Sequence, residues 1–176
     1  MADYTVAPAS IPQEEFLNAE EDIVFYGGAA GGGKSFAALA NHLKYIEDKH
    51  YKGVVVRRTT PMLMKQGAVW DEAKDLYRLV DPECRIRIKD RKIVFRTGAE
   101  VGFDHFERAS NTDNWQGSQL SAVVMDELTH FEESQMWYLI SRLRSKAKMR
   151  PNLRATMNPD PDSWVDIKVY VFYMPM

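Results

Sequence analysis

The sequence predicts an α/β fold with a mostly parallel central sheet flanked by helices, on three observations. Short apolar runs, Asp22 to Tyr26, Gly53 to Arg58 and Ala122 to Met125, have the profile of strands buried on both faces. Amphipathic helical stretches separate them. The first run leads straight into Gly28-Ala29-Ala30-Gly31-Gly32-Gly33-Lys34-Ser35, which fits G-x-x-x-x-G-K-[ST] at every fixed position, and strong helix formers, Phe36 to Ala40, follow it.

Strand, glycine loop and helix in that order make a phosphate cradle. Glycines let backbone N–H groups turn inward around a phosphate, and the helix N-terminus behind them adds partial positive charge. The candidate phosphate binders are Gly28, Gly31, Gly32, Gly33 and Lys34, with Lys34 reaching the β- and γ-phosphates and the Ser35 hydroxyl on Mg²⁺. Upstream, Pro8 and Pro12 without an apolar period mark an extended lead-in over residues 1–20, in which a short helix begins at Gln13. The amide of Gln13 has the donor and acceptor to read an adenine edge.

At 176 residues and 20.2 kDa the chain is long enough for a single sizeable core. A hydrophobic content of 45% excludes a disordered chain, and no apolar run approaches the ~18 residues of a membrane span. Without a signal peptide pattern, a soluble intracellular protein is expected. Cys84, the single cysteine, is expected to be a buried or neutral thiol, and the histidines lack metal-site spacing. The net charge of −2 hides an asymmetry: residues 1–22 carry six acids and no Lys or Arg, whereas Arg142, Arg144, Lys146, Lys148, Arg150 and Arg154 follow one another with no acid between. Arg85-Ile86-Arg87-Ile88-Lys89 alternates so that a strand would present its cations on one face. Either stretch meets phosphate or is a solvated face.

Along the chain, Phe36, Leu39, Ala40, Leu43 and Ile46 form one stripe of a helix from Lys34 to about Lys49. The strand Gly53 to Arg58 ends in Arg57 and Arg58, placed either at the ligand-binding edge of an open sheet or in a structural salt bridge. Met62 to about Val80 reads as helix interrupted near Gln66-Gly67. Arg85 to Lys89 and Lys92 to Arg96 read as a hairpin about the two-residue turn Asp90-Arg91. The strand Glu100 to Asp104 precedes a polar surface loop, Glu107 to Gly117, whose one large apolar residue is Trp115.

The run Ala122 to Met125 ends in Asp126-Glu127, 91 residues after Ser35. A carboxylate pair there suits hydrolysis of Mg-ATP, with Asp126 holding Mg²⁺ and Glu127 orienting or deprotonating the attacking water. A helix over Glu132 to Lys148 follows, then a strand over Asn152 to Asn158 whose polar tips, Thr156 and Asn158, are placed to touch the γ-phosphate and register its loss.

Over roughly residues 11–165 these motifs, in this order, resemble the large subunit of the terminase, the ATP-driven DNA-packaging motor of tailed bacteriophages. The likeness runs through Ile11 to Leu17, Tyr26 to Ser35, Val56 to Thr59, Asp126 to Phe131, Ser141 to Ser145 and Ala155 to Pro161. It implies a P-loop ATPase fold with an additional catalytic glutamate, with Gln13 as the adenine-sensing residue, Glu127 as the catalytic carboxylate and Thr156 to Asn158 as the segment coupling hydrolysis to movement. It also implies double-stranded DNA, a portal protein and a small terminase subunit as partners, a ring of copies on the portal, and work in the cytoplasm of the infected bacterium.

The sequence departs from that family at two places. Some members carry an arginine finger inside the phosphate loop, where this chain has Ala29 and Ala30. A finger is then expected from a neighbouring subunit, with Arg142, Arg144 and Arg108 as candidates in that order. Residues 166–176 do not resemble the family, and the nuclease domain that typically follows is not in this chain, so no DNA cutting is expected of it. Other readings of the same motifs are a helicase- or recombinase-like ATPase, a small-molecule kinase, and a nucleotide-binding assembly module without turnover.

Overall fold

The structure, a computed structural model, describes residues 6–28, 31 and 33–165. Ala29, Ala30 and Gly32 of the glycine loop and the divergent tail over 166–176 lie outside the described residues. The three apolar runs form β1 (Ile23–Gly27), β2 (Lys52–Arg57) and β6 (Ala122–Met125), the other two expected strands form β5 (Glu100–His105) and β7 (Asn152–Met157), and the hairpin supplies β3 (Arg85–Arg87) and β4 (Lys92–Val94). They make one seven-stranded sheet in the order β1-β7-β6-β2-β5-β4-β3. The first five are parallel neighbours, and β4 and β3 add antiparallel. All parallel strands therefore end at one edge, where such sheets bind ligands.

Strand alternation sends successive residues into separate cores. Val55, Val124, Val101 and Phe103 pack under α2 (Lys34–Leu43) and α4 (Val69–Val80), which contributes Trp70, Ala73, Leu76 and Tyr77. Val54, Val56, Val123, Met125, Leu153, Ala155 and Met157 face the other way, onto Leu128, Phe131 and Met136 and Leu139 of α5 (Glu133–Ile140). Each fully buried side chain of this size contributes roughly 1.5–3 kcal/mol. Trp115 joins that second core against Phe106, so the polar segment around it is anchored inward rather than a free surface loop.

Several boundaries differ from the sequence expectation. The lead-in is extended only as far as Ser10, whose hydroxyl accepts the Gln13 N–H and caps α1 (Ile11–Asn18) with Pro12 in its first turn. The helix after the glycine loop stops at Leu43 instead of Lys49: the Tyr45 N–H closes a tight turn on the His42 carbonyl, and the Ile46 carbonyl accepts the Thr97 hydroxyl. Ile46 stays buried without being helical. The helix expected over Glu132 to Lys148 ends at Ile140, since Leu120 takes the Arg144 N–H and gives its own N–H to the Arg142 carbonyl. The hairpin pairs Arg87 with Lys92, which leaves Ile88 to Arg91 as the turn and puts Lys89 in it; Arg91 takes the left-handed conformation, φ 48°. The interrupted helix is α3 (Thr60–Met64) followed by α4, with the break at Gln66-Gly67 as expected.

Candidate active site

The glycine loop leaves β1 at the strand-end edge and enters α2 through Gly33, whose φ of 66° suits glycine. A second reason for glycine is Gln13: a Cβ on Gly33 would lie 2.2 Å from Gln13 Nε2. Gln13 is buried, accepts the Ala9 N–H at 2.7 Å through Oε1 and donates through Nε2 to the Gly33 carbonyl at 3.2 Å. Its amide thus ties the lead-in to the phosphate loop. Lys34 Nζ donates to the Gly28 carbonyl at 2.9 Å, bending back along the loop. Burial lowers its pKa, while Glu127 and then Asp126 oppose that shift.

Asp126 and Glu127 leave β6 next to β7 on one side and β2 on the other. Asp126, 1% exposed, has both oxygens engaged. Oδ1 accepts the Thr156 hydroxyl at 2.5 Å and the Ser35 hydroxyl at 3.4 Å. Oδ2 accepts Arg57 Nε at 2.7 Å, and Arg57 Nη2 lies 2.5 Å away. Glu127 has φ 64° and ψ 59°, a conformation disfavoured for a non-glycine residue and most often retained where function needs the side chain aimed. Its N–H donates to the same Thr156 hydroxyl at 3.2 Å, and its Oε2 accepts Asn158 Nδ2 at 3.4 Å. Arg58 holds the turn after it, donating through Nη1 to the His130 carbonyl and to Gln135 Oε1, each at 3.0 Å.

These groups face a cleft of about 600 Å³ lined by Gly31, Gly33, Lys34, Ser35, Glu127 and Asn158. The expected loop, carboxylate and β7-tip residues therefore meet in one place. Ser35 and Asp126, a hydroxyl and a carboxylate beside a phosphate cradle, are hard oxygen donors of the kind Mg²⁺ takes. Among the described residues no group of three or more His, Cys, Asp or Glu is placed to hold a metal. A Mg²⁺ here fits only as one carried in with phosphates, which is how that ion usually binds.

Arg142 and Arg144 are not in this cleft. They flank Leu143, which pairs with Leu120 ahead of β6, so they sit at the strand-start edge, opposite the carboxylates; the Arg142 guanidinium lies 4.9 Å from the Tyr138 ring. Arg108 is exposed in the loop after β5, on the same edge as the cleft. Of the open alternatives for the arginines after β2, the salt bridge is the one observed, between Arg57 and Asp126. The sequence reading missed Glu72 and Asp75, which line the cleft from α4. Partial burial, then Asp126, raises the Glu72 pKa against the pull of Arg57. Their only sequence signal is an acidic i, i+3 pair on an amphipathic helix, which usually means a solvated face.

A mostly parallel sheet with a glycine loop after β1 and an Asp-Glu pair after β6 is a fold of P-loop type. The family described as terminase large subunit, T4likevirus-type, N-terminal, matches residues 25–168, and the chain belongs to that family. Compared with curated protein sequences, the chain matches none. Among solved structures it is similar to the large terminase of a thermophilic bacteriophage, with TM-score 0.69 and 18% identity over 92% of this chain and 42% of that one. The same thermophilic phage protein in complex with ADP matches with TM-score 0.66 and 17% identity over 92% and 42%, and one with ATP-gamma-S with TM-score 0.67. The large terminase of bacteriophage HK97 matches with TM-score 0.66 and 12% identity over 92% and 36%. The N-terminal domain of the DNA packaging ATPase from bacteriophage phi29 matches with TM-score 0.57 and 19% identity over 82% and 76%. The chain thus spans about two fifths of the length of the thermophilic phage protein.

Proposed function

We propose that the chain is the ATP-hydrolysing motor domain that drives translocation of double-stranded DNA into a phage capsid. The observation that carries this reading is the Thr156 hydroxyl, which bonds both the Asp126 carboxylate and the Glu127 N–H. One side chain of β7 is thereby joined to both acids.

ATP enters the cleft with its phosphates in the glycine loop, and Lys34 exchanges the Gly28 carbonyl for the β- and γ-phosphates. The complexes of the thermophilic phage terminase with ADP and ATP-gamma-S support nucleotide binding by this fold. Ser35 and Asp126 would hold Mg²⁺, which would neutralise charge on the phosphates. Glu127 orients the attacking water and takes its proton, and Asn158 fixes the Glu127 carboxylate for that task. Thr156, expected to touch the γ-phosphate, is 1% exposed and does not line the cleft, so when that phosphate leaves it is Asn158 that loses a contact and the segment after β7 that moves. Gln13, already against Gly33, reads the adenine once its amide is released from the lead-in. An arginine of a neighbouring copy completes the site, in a ring on the portal that works with the small subunit and a nuclease domain in the host cytoplasm.

The test is phosphate release with and without duplex DNA. Release without an added acceptor, accelerated by DNA and abolished in Lys34→Ala, supports the motor. Release that needs an acceptor hydroxyl makes the protein a kinase, and parental turnover in Lys34→Ala removes the loop from the chemistry.

A further inference from the structure

The basic stretch that begins at Arg142 has no place in the cleft, and its position suggests another use. It runs along the strand-start edge of the sheet, beneath β7, β6 and β2. There it meets the turns that follow α2. Lys49, Lys52, Arg144, Lys146 and Lys148 are exposed on this rim, and none is in an ion pair with another described residue. An open cleft of about 780 Å³ lies between the two segments, lined among others by Lys44, Lys49, His50, Lys146 and Lys148.

The rim is built, not merely charged. Ser145 Oγ donates to Ser121 Oγ at 2.8 Å and accepts the Ala147 N–H at 3.0 Å, while Ser121 Oγ accepts the Lys52 N–H at 3.2 Å. The Asp48 carboxylate accepts the Lys148 N–H at 2.8 Å and the His50 N–H at 2.9 Å, joining the two basic segments across 100 residues of sequence. Those bonds, Lys148 first, lower the Asp48 pKa and engage its charge with the backbone. The other acids on this edge are Glu47, which lines the cleft, Glu20, Glu21 and Asp22 ahead of β1, of which Asp22 is paired with Arg150, and Glu100 at the start of β5, which is paired with Lys92. Cations on this edge thus outnumber the acids that face them, in a chain whose net charge is −2.

We propose that this strand-start rim is a binding surface for the phosphate backbone of duplex DNA, in particular through Lys49, Lys146 and Lys148. The inference rests on the DNA-motor reading and adds to it the surface that grips. A polyanion suits the rim better than a protein partner does. Protein interfaces are anchored by buried aromatic or large apolar residues. None of the exposed large apolar residues among the described ones, Ile11, Met62, Leu79, Val80, Ile88 and Trp137, lines the basic cleft. The surface is also on the far side of the sheet edge from the nucleotide, which leaves the cleft open while DNA is held. Arg142 and Arg144 belong to the same edge.

The test is anisotropy of a labelled duplex titrated with the parent and with Lys49→Ala/Lys146→Ala/Lys148→Ala, over a series of salt concentrations. The expected result is a tenfold or greater loss of affinity and a log-log salt slope reduced by about 2–3, since each neutralised phosphate contributes ~0.9. Affinity for a fluorescent ADP should stay within twofold, which shows the fold and the cleft intact. Lys146→Glu/Lys148→Glu should weaken the duplex further, and Arg85→Ala/Arg87→Ala, on the hairpin, should leave the rim's share of the slope in place. Parental affinity and slope in the rim variants overturn the proposal while leaving the motor reading standing. A parent that binds no duplex at any salt overturns both.

Discussion

The Arg57 guanidinium grips Asp126 Oδ2 with both Nε, at 2.7 Å, and Nη2, at 2.5 Å. This fork occupies the oxygen of the strand-end carboxylate that the Ser35 and Thr156 hydroxyls leave free, and Arg57 Nη1 is anchored on the Met62 carbonyl at 3.0 Å. Mg²⁺ arriving with nucleotide meets a carboxylate already paired with a cation. Arg57→Gln should therefore lower the Mg²⁺ concentration that half-saturates binding of a fluorescent ATP, while the nucleotide-free protein loses roughly 3 kcal/mol because a buried carboxylate loses its partner. Magnesium titration and urea unfolding read the two effects. A parental magnesium midpoint contradicts the competition.

Gly33→Ala should disable the loop from two directions. The residue sits at φ 66°, and its new Cβ would stand 2.2 Å from Gln13 Nε2. Either the left-handed turn or the Gln13 amide, with its bond to the Gly33 carbonyl, has to give way. Nucleotide affinity should fall by more than tenfold. Gln13→Ala should cost about 1–3 kcal/mol of stability, because it strips the Ala9 N–H and the Gly33 carbonyl of a partner. Equilibrium binding and urea unfolding check both; a Gly33→Ala protein that binds nucleotide normally contradicts the packing argument.

His42 sets an acid limit on stability. It is fully buried against Tyr51, whose hydroxyl lies 2.6 Å from Nδ1, and burial depresses its pKa from 6.5 to about 3. The unfolded chain takes up this proton below pH 6.5 and the folded chain does not, so stability falls as pH drops from about 6.5 toward 3. The loss approaches ~1.4 kcal/mol per pH unit within that window. Above it the residue contributes no pH dependence. In His42→Gln the slope of unfolding free energy between pH 6 and 4, from urea titrations, should be shallower than in the parent by about that amount. Equal slopes contradict the assignment.

Much of the fold was legible in the sequence because its signals are local. Continuous apolar runs marked the parallel strands, the glycine loop carried its own strand and helix, and Asp126-Glu127 closed a buried run. What was not legible depends on partners far along the chain. The ends of α2 and α5 are set by Thr97 and Leu120, which capture backbone groups that a helical stripe alone leaves unaccounted for. The hairpin turn is longer than alternation suggested because Arg91 turns left-handed before the strands pair. Arg57 on Asp126 joins residues 69 apart, and Glu72 reaches the cleft only because α4 packs over β2 and β5. The placement of Arg142 and Arg144 followed from a strand pairing ahead of β6 that no periodicity announces.

We propose that Glu127, aimed by its left-handed backbone and held by Asn158, activates the water that cleaves ATP. The most direct measurement is phosphate release by Glu127→Ala beside its affinity for a fluorescent ATP, both with duplex DNA present. The account predicts affinity within a few-fold of the parent and turnover lower by on the order of 10²–10⁴. Turnover near the parental rate, with ATP bound normally, contradicts it.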